Sequence, residues 1–229
     1  VVNNGGNLTL GRYSTSIGTH NTLVSNAATA VGLGNTIWGE GGTAVGIANT
    51  LSGNLSSAFG LLNTVSDDYS TASGFMNTAE GESSSAIGVF NQTSGLGSVA
   101  MGTANKATAD GSTAIGILNI ATAENSSAFG NQSVASHKGA TAVGYHAETD
   151  RDNSVSIGRL GEEKQLTFVA AGANDTDAVN KKQLDDTSTV VNTRIENEVT
   201  DLNTRIGTEV TGLDTKIQSN NTAISGLDG

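Results

Sequence analysis

Cysteine and proline are both absent from the 229 residues. Without cysteine there is no disulfide framework, no thiolate metal site and no thiol nucleophile, so an exported chain of this composition must be stable without covalent staples. Aromatic residues make up only 4% and hydrophobic residues 36%, which is too little for a conventional globular core. No run approaches the eighteen or so apolar residues of a membrane helix. Nothing at Val1 resembles a signal peptide, which fits an internal fragment of a longer exported protein. Positive charge is scarce as well. The formal net charge of -11 argues against nucleic acid and against an anionic lipid surface as partners.

Glycine is abundant, and its placement organises the chain. Eleven glycines, at 18, 32, 46, 60, 74, 88, 102, 116, 130, 144 and 158, stand fourteen residues apart without insertion. Each closes a unit of the kind Thr113-Ala114-Ile115-Gly116 or Ser127-Ala128-Phe129-Gly130. Fourteen residues are too few for a two-helix repeat, and the units alternate at period two. Each repeat therefore reads as one turn of a β-solenoid carrying two short strands. Stacked coils share one thin core, which reconciles the weak hydrophobicity with folding. Asn21, Asn35, Asn49, Asn63, Asn77, Asn91, Asn105 and Asn119 fall three residues after the ladder glycines, where a side chain that bonds nearby backbone holds a corner.

Within the units, alternation separates two faces. One carries Ile17, Val31, Val45, Phe59, Ile87, Met101, Ile115, Phe129, Val143 and Ile157, interrupted by Ser73, and its bulk assigns it to the coil interior. The other carries Ala30 through Ala142 beside the glycines, and its small size suits either a close subunit interface or simply a crowded coil. Residues 1 to about 12 read as an incomplete first coil, and the regular repeats occupy 13 to 158.

The fourteen-residue rule ends at 158. Asp175, Thr176 or Asp177 is suited to cap a helix that begins near Ala178 and continues to the end. Its period is written in the sequence, because Val191-Asn192-Thr193-Arg194-Ile195 recurs as Leu202-Asn203-Thr204-Arg205-Ile206 and as Leu213-Asp214-Thr215-Lys216-Ile217. A spacing of eleven predicts a nearly straight or slightly right-handed supercoil. One such stripe, with Gly207 and Gly212 in the helix, needs partner helices. The domain boundaries that follow are 1–158 for the repeat region, 159–183 for a connector and 184–229 for the stalk.

These residues together resemble the trimeric autotransporter adhesins of the YadA-like type found on Gram-negative bacteria. The Thr113-Ala114-Ile115-Gly116 units are similar to that family's head repeat. Asn153-Ser154-Val155-Ser156-Ile157-Gly158, followed by Val169-Ala170-Ala171-Gly172, Asp175-Thr176-Asp177-Ala178-Val179-Asn180 and Gln183-Leu184, is similar to its head-to-stalk connector. Phe168 departs from the asparagine that commonly precedes that Val-Ala-Ala-Gly segment, and Lys181-Lys182 is more basic than usual. The resemblance implies an all-β left-handed parallel β-roll head, then a neck, then a parallel trimeric α-helical coiled coil. It implies an obligate homotrimer with Val191, Ile195, Leu202, Ile206, Leu213 and Ile217 in its core, and with Phe168 and Val169 buried at the neck. It also implies display on the bacterial cell surface, through an outer-membrane anchor beyond this sequence, and a host matrix protein or cell-surface receptor as partner.

The residues themselves offer no enzyme. Three histidines, His20, His137 and His146, are irregularly spaced, and no phosphate-binding glycine motif or Ser-His-Asp pattern is present. The acidic residues lack the spacing of a calcium-loaded β-roll, so no metal and no cofactor are expected. Candidate partner-binding residues are Trp38, Leu62, Phe75, Met76 and Phe90, with Asp67, Asp68, Glu80 and Glu82 expected to flank the last four and favour a basic partner. Two other readings stand beside adhesion. The repeat region could be a passive spacer, or, in a different class, an ice-binding solenoid using Thr15, Thr29, Thr43, Thr71, Thr113 and Thr141; the interior assignment given above would turn those threonines inward.

Overall fold

The computed structural model describes residues 5–227, which form two units, one reaching Lys164 and the other starting at Gln165. The proposed first coil is seen from Gly5 onward, while Val1 to Asn4 lie outside the described residues.

Each coil of the first unit contributes a five-residue strand and a two-residue strand, as in Thr71–Phe75 and Thr78–Ala79. Among the described residues the long strands, with the shorter Val155–Ser156 at the end, make an eleven-stranded sheet, and the short ones a ten-stranded sheet, all in chain order. Pairing is parallel, and each residue faces the one fourteen positions away: Thr71 pairs with Ser57 on one side and Ser85 on the other. A short turn holding the ladder asparagine leads from long strand to short strand, and a longer turn returns the chain to the next coil.

The ladder glycines are required twice over. The ten from Gly18 to Gly144 have φ between 109° and 133°, a region that L side chains avoid. At Gly74 an added Cβ would also lie 2.0 Å from the Gly88 carbonyl oxygen in the next coil. Gly158 departs from the series, since the last strand stops at Ser156.

The stacked asparagines are fully buried and chained to one another. Asn77 is representative. Its Nδ2 donates to Asn63 Oδ1 (3.1 Å), to the Ser73 carbonyl (2.9 Å) and to the Gly88 carbonyl (2.7 Å). Its Oδ1 accepts from the backbone and side chain of Asn91, each at 3.0 Å. One carboxamide thus satisfies groups in three coils, which suits the ladder to a corner that water does not reach. Ser133 closes the series by donating its backbone N–H and hydroxyl to Asn119 Oδ1.

The two strand faces are the reverse of the sequence reading. Ala30, Ala44, Ala58, Ala72, Ala86, Ala100, Ala114, Ala128 and Ala142 are completely buried and form one wall of the interior. Opposite them stand Leu23, Ile37, Leu51 and Val65 in the earlier coils, then Ala79, Thr93, Ala107, Ala121 and Ala135. Ile17, Val45, Phe59, Met101 and Val143 point outward and are exposed in the single chain. The alanine row is therefore core, not a subunit surface. The physical reason is width: two sheets joined by turns this short leave room for alanine opposite at most a leucine or isoleucine.

In the second unit an extended segment precedes one α-helix, Lys181–Ser225. Its N-cap is Asn180, not one of the three upstream candidates. Asn180 Oδ1 accepts from Gln183 N and Gln183 Oε1 accepts from Asn180 N, which makes a reciprocal capping box. Asp177 instead closes the preceding turn by accepting from Ala173 N (2.9 Å) and Asn174 N (3.0 Å). No residue of the helix is buried. No helix among the described residues is long and apolar enough to cross a membrane.

Candidate partner-binding surfaces

Three surfaces of the roll arise from the coil geometry. The first is the outer face of the long-strand sheet. It presents Ile17, Val45, Phe59, Met101 and Val143, with Leu33, Ile47, Leu61 and Ile117 two residues on in the same register. Thr15, Thr29, Thr43, Thr71, Thr113 and Thr141 belong to this outward face too, so the expectation that they turn inward is overturned with the rest of the face assignment. They stand among bulky branched and aromatic side chains rather than in a flat hydroxyl array.

The second surface is the short turn. Leu62, Met76 and Phe90 occupy its first position in successive coils, each with left-handed backbone (φ 57°, 52° and 56°) and each exposed. An L residue pays roughly 1–2 kcal/mol for that conformation relative to glycine. Gly34 holds the same position in another coil, so the turn itself does not demand a large side chain. Phe75 lies at the end of its long strand, half-buried, and its ring meets that of Phe90 edge to face at 5.3 Å. Leu62, Phe75, Met76 and Phe90 are thus brought together as the sequence suggested.

The third surface is the longer turn, at the opposite end of the strands. It carries Trp38, which is 55% exposed and stands apart from the Leu62 to Phe90 group. Asp67, Asp68, Glu80 and Glu82 also belong to these longer turns, so they do not flank the apolar corner as expected. The sequence places them close in number, but a strand separates the two turns of a coil.

The foot of the roll is closed by polar contacts. Glu162 lies 2.5 Å from Arg159 and 3.4 Å from His146, whose ring stacks on Tyr145. The Arg159 guanidinium, with His146 as a lesser contributor, holds the Glu162 carboxyl below the usual carboxylate range. His137 contacts Thr149 Oγ1 at 3.1 Å, and among the described residues no cluster of acidic and histidine side chains is arranged for a metal ion.

In the second unit Val191, Ile195, Leu202, Ile206, Leu213 and Ile217 are all about half exposed and line one side of the helix with Val199 and Val210. Phe168 is fully exposed in the single chain, with left-handed φ, beside Leu166 and Val179, which are also exposed. Val169 is half-buried, and its carbonyl accepts from Asn180 Nδ2 at 3.1 Å. Gln183 exchanges two hydrogen bonds with Gly172, at 2.9 and 3.1 Å, so the cap residues also fasten the Val169 to Gly172 segment to the helix start. Sequence reasoning missed this clamp, although Asn-x-x-Gln ahead of an apolar-periodic run is its signature.

A parallel solenoid of fourteen-residue coils and a helix with one unclosed apolar stripe define a repeat protein with an unpartnered helical segment. The comparisons with known families agree. The YadA head domain repeat matches residues 52–75, 68–91, 79–104, 94–117, 121–147 and 138–159, and the coiled stalk of trimeric autotransporter adhesin matches 165–207. These matches span more than half of the chain, which belongs to the YadA-like trimeric autotransporter adhesins, a family of adhesive rather than enzymatic proteins. Among solved structures the chain is similar to the collagen-binding domain of the Yersinia adhesin YadA. The identity is 32%, over 76% of this chain and 86% of that one, with a TM-score of 0.37. None of the curated proteins compared matches the chain.

Proposed function

We propose that this chain is the head, neck and upper stalk of a homotrimeric bacterial surface adhesin that attaches to a host matrix protein or a host-cell receptor. The observation that carries the reading is the pair of apolar surfaces left open by a single chain of this family: the outer face of the long-strand sheet and the helix stripe from Val191 to Ile217. Three parallel copies cover both. The sheet face, rather than the alanine row, is then the subunit contact along the head, and Val191, Ile195, Leu202, Ile206, Leu213 and Ile217 fill the stalk core. Phe168 and Val169 are buried at the neck by neighbouring chains. The fibre stands on the bacterial surface, held by an outer-membrane anchor supplied elsewhere in the protein.

With the sheet face covered, the turns remain for partners. Leu62, Met76 and Phe90 form the adhesive corner, with Phe75 supporting Phe90 edge to face from the margin of the covered sheet, and Trp38 is a separate contact. Three equivalent corners per trimer raise the effective concentration, so weak single contacts suffice. Sedimentation equilibrium tests the assembly, and a monomer across the micromolar range overturns it. Binding of the trimer to collagen, fibronectin and host-cell ectodomains, alongside adherence of cells displaying it, tests the function. Loss of binding in Met76→Asp and Phe90→Asp variants that remain trimeric supports the corner; absence of binding and adherence by the intact trimer leaves a passive spacer.

A further inference from the structure

We propose that the longer turns of four successive coils, residues 38–42, 52–56, 66–70 and 80–84, form a docking site for a cationic polypeptide segment. The proposal rests on the adhesin reading and adds a second surface with its own partner chemistry.

Charge is distributed unevenly along the roll. Residues 13–105 contain no lysine and no arginine, yet they hold Glu40, Asp67, Asp68, Glu80 and Glu82, and all five lie in these turns. Asp68 and Glu82 occupy equivalent positions one coil apart, a spacing of about 4.8 Å in a parallel sheet. Like charges at that distance oppose folding. None of the five makes an ion pair among the described residues. Farther along the same column of turns Asp110 is likewise without an ion pair, but beyond it Glu124 pairs with Lys138 at 2.7 Å, and Asp150 with Arg151 at 3.1 Å.

Turn geometry does not account for the charge. Asp68 accepts from the backbone N–H of Asn54 at 2.7 Å, but Asn54 and Asn26 perform the same task for Glu40 and Arg12 with neutral amides. The negative charge therefore exceeds what the fold uses. Apolar anchors stand in the same turns: Trp38, Leu55 and Tyr69 are 55%, 60% and 58% exposed, the last two with left-handed backbone. Carboxylates in the same turns as exposed aromatic rings match lysine and arginine side chains, which combine ion pairing with stacking over Trp38 and Tyr69. Charge complementarity thus selects a basic polypeptide as the occupant.

The test is binding of a labelled oligo-arginine peptide to the full chain at low and physiological salt. Asp67→Asn/Asp68→Asn/Glu82→Gln keeps the turn acceptors and is expected to weaken binding about tenfold or more. Glu196→Gln/Glu209→Gln/Asp214→Asn removes the same charge from the helix and is expected to change it less than about twofold. Trp38→Ala/Tyr69→Ala is expected to weaken binding about threefold or more. Equal losses in the two charge variants reduce the effect to net charge and overturn the site, as does no loss in either; unchanged binding in the aromatic variant overturns the role of the rings. Adherence measured in parallel separates the two proposals. A chain that adheres but binds no peptide overturns this site alone, and a chain that binds at these turns without adhering overturns the adhesin reading alone.

Discussion

The roll and the helix solve the problem of burial in opposite ways. The coils of the roll close alanine, most of them a ladder asparagine and the earlier ones a branched residue into their own interior, and their register is fixed by neighbours fourteen residues away in the same chain. The helix, with 45 residues, buries none of them. A region that completes its core with its own sequence tolerates a low apolar content, whereas a helix with a single stripe leaves that stripe open, and the proposed trimer would close it. The two should therefore fail differently when damaged.

The largest expected effect is on the helix. Ile195→Asp/Ile206→Asp should abolish most of the helical circular dichroism while leaving the strand signal in place, because charges buried in the proposed three-stranded core cannot be matched. Retained helix would show that the segment stands alone. In the roll, Gly74→Val meets both a positive φ and the Gly88 carbonyl, so about 4 kcal/mol or more should be lost in denaturant unfolding. An unshifted midpoint would contradict the packing of adjacent coils. Asn77→Ala strands donors and acceptors in three coils and should cost about 3 kcal/mol, read in the same experiment. Phe168→Asp sharpens the boundary between the regions: burial at the neck of a trimer predicts a loss of about 2 kcal/mol, and unchanged thermal unfolding would keep that ring in solvent.

The smallest effect concerns Asp177. The N–H groups of Ala173 and then Asn174 hold its carboxyl below the usual value. With the folded value depressed, the contribution is present above the ordinary aspartate pKa of about 4 and is lost as pH falls through the folded value. The Ala173 amide resonance should move over that acid window in the native chain and stay put in Asp177→Asn.

Much of the fold is legible because its period is rigid. The glycine and asparagine ladders follow from positions that accept one residue type each, and the eleven-residue spacing exposes the helix stripe. Which strand face is inside was not given by alternation, which divides two faces without orienting them. Bulk pointed the wrong way. Uniformity was the better guide, since alanine recurs from Ala30 to Ala142 while the outer column passes through Ile17, Phe59, Ser73 and Met101. The inner wall of the long-strand sheet holds alanine throughout, although the column facing it passes from Leu23 to Ala135; the outer face varies most. The candidate corner was partly legible: proximity in number gathered Leu62, Phe75, Met76 and Phe90 correctly, yet it also attached acidic residues that the intervening strand carries to the other turn.

The asparagine ladder also governs how a head of this kind can change length. A carboxamide bonded to the one before and the one after must find its successor one coil on, so an insertion other than a whole coil between a long strand and its short strand breaks the chain of amides, and an odd one within a strand also exchanges the strand faces. Whole coils can be added or removed without disturbing either neighbour. Reach then comes in steps of one strand spacing, about 4.8 Å, and recombination between repeats becomes a ruler with a fixed graduation.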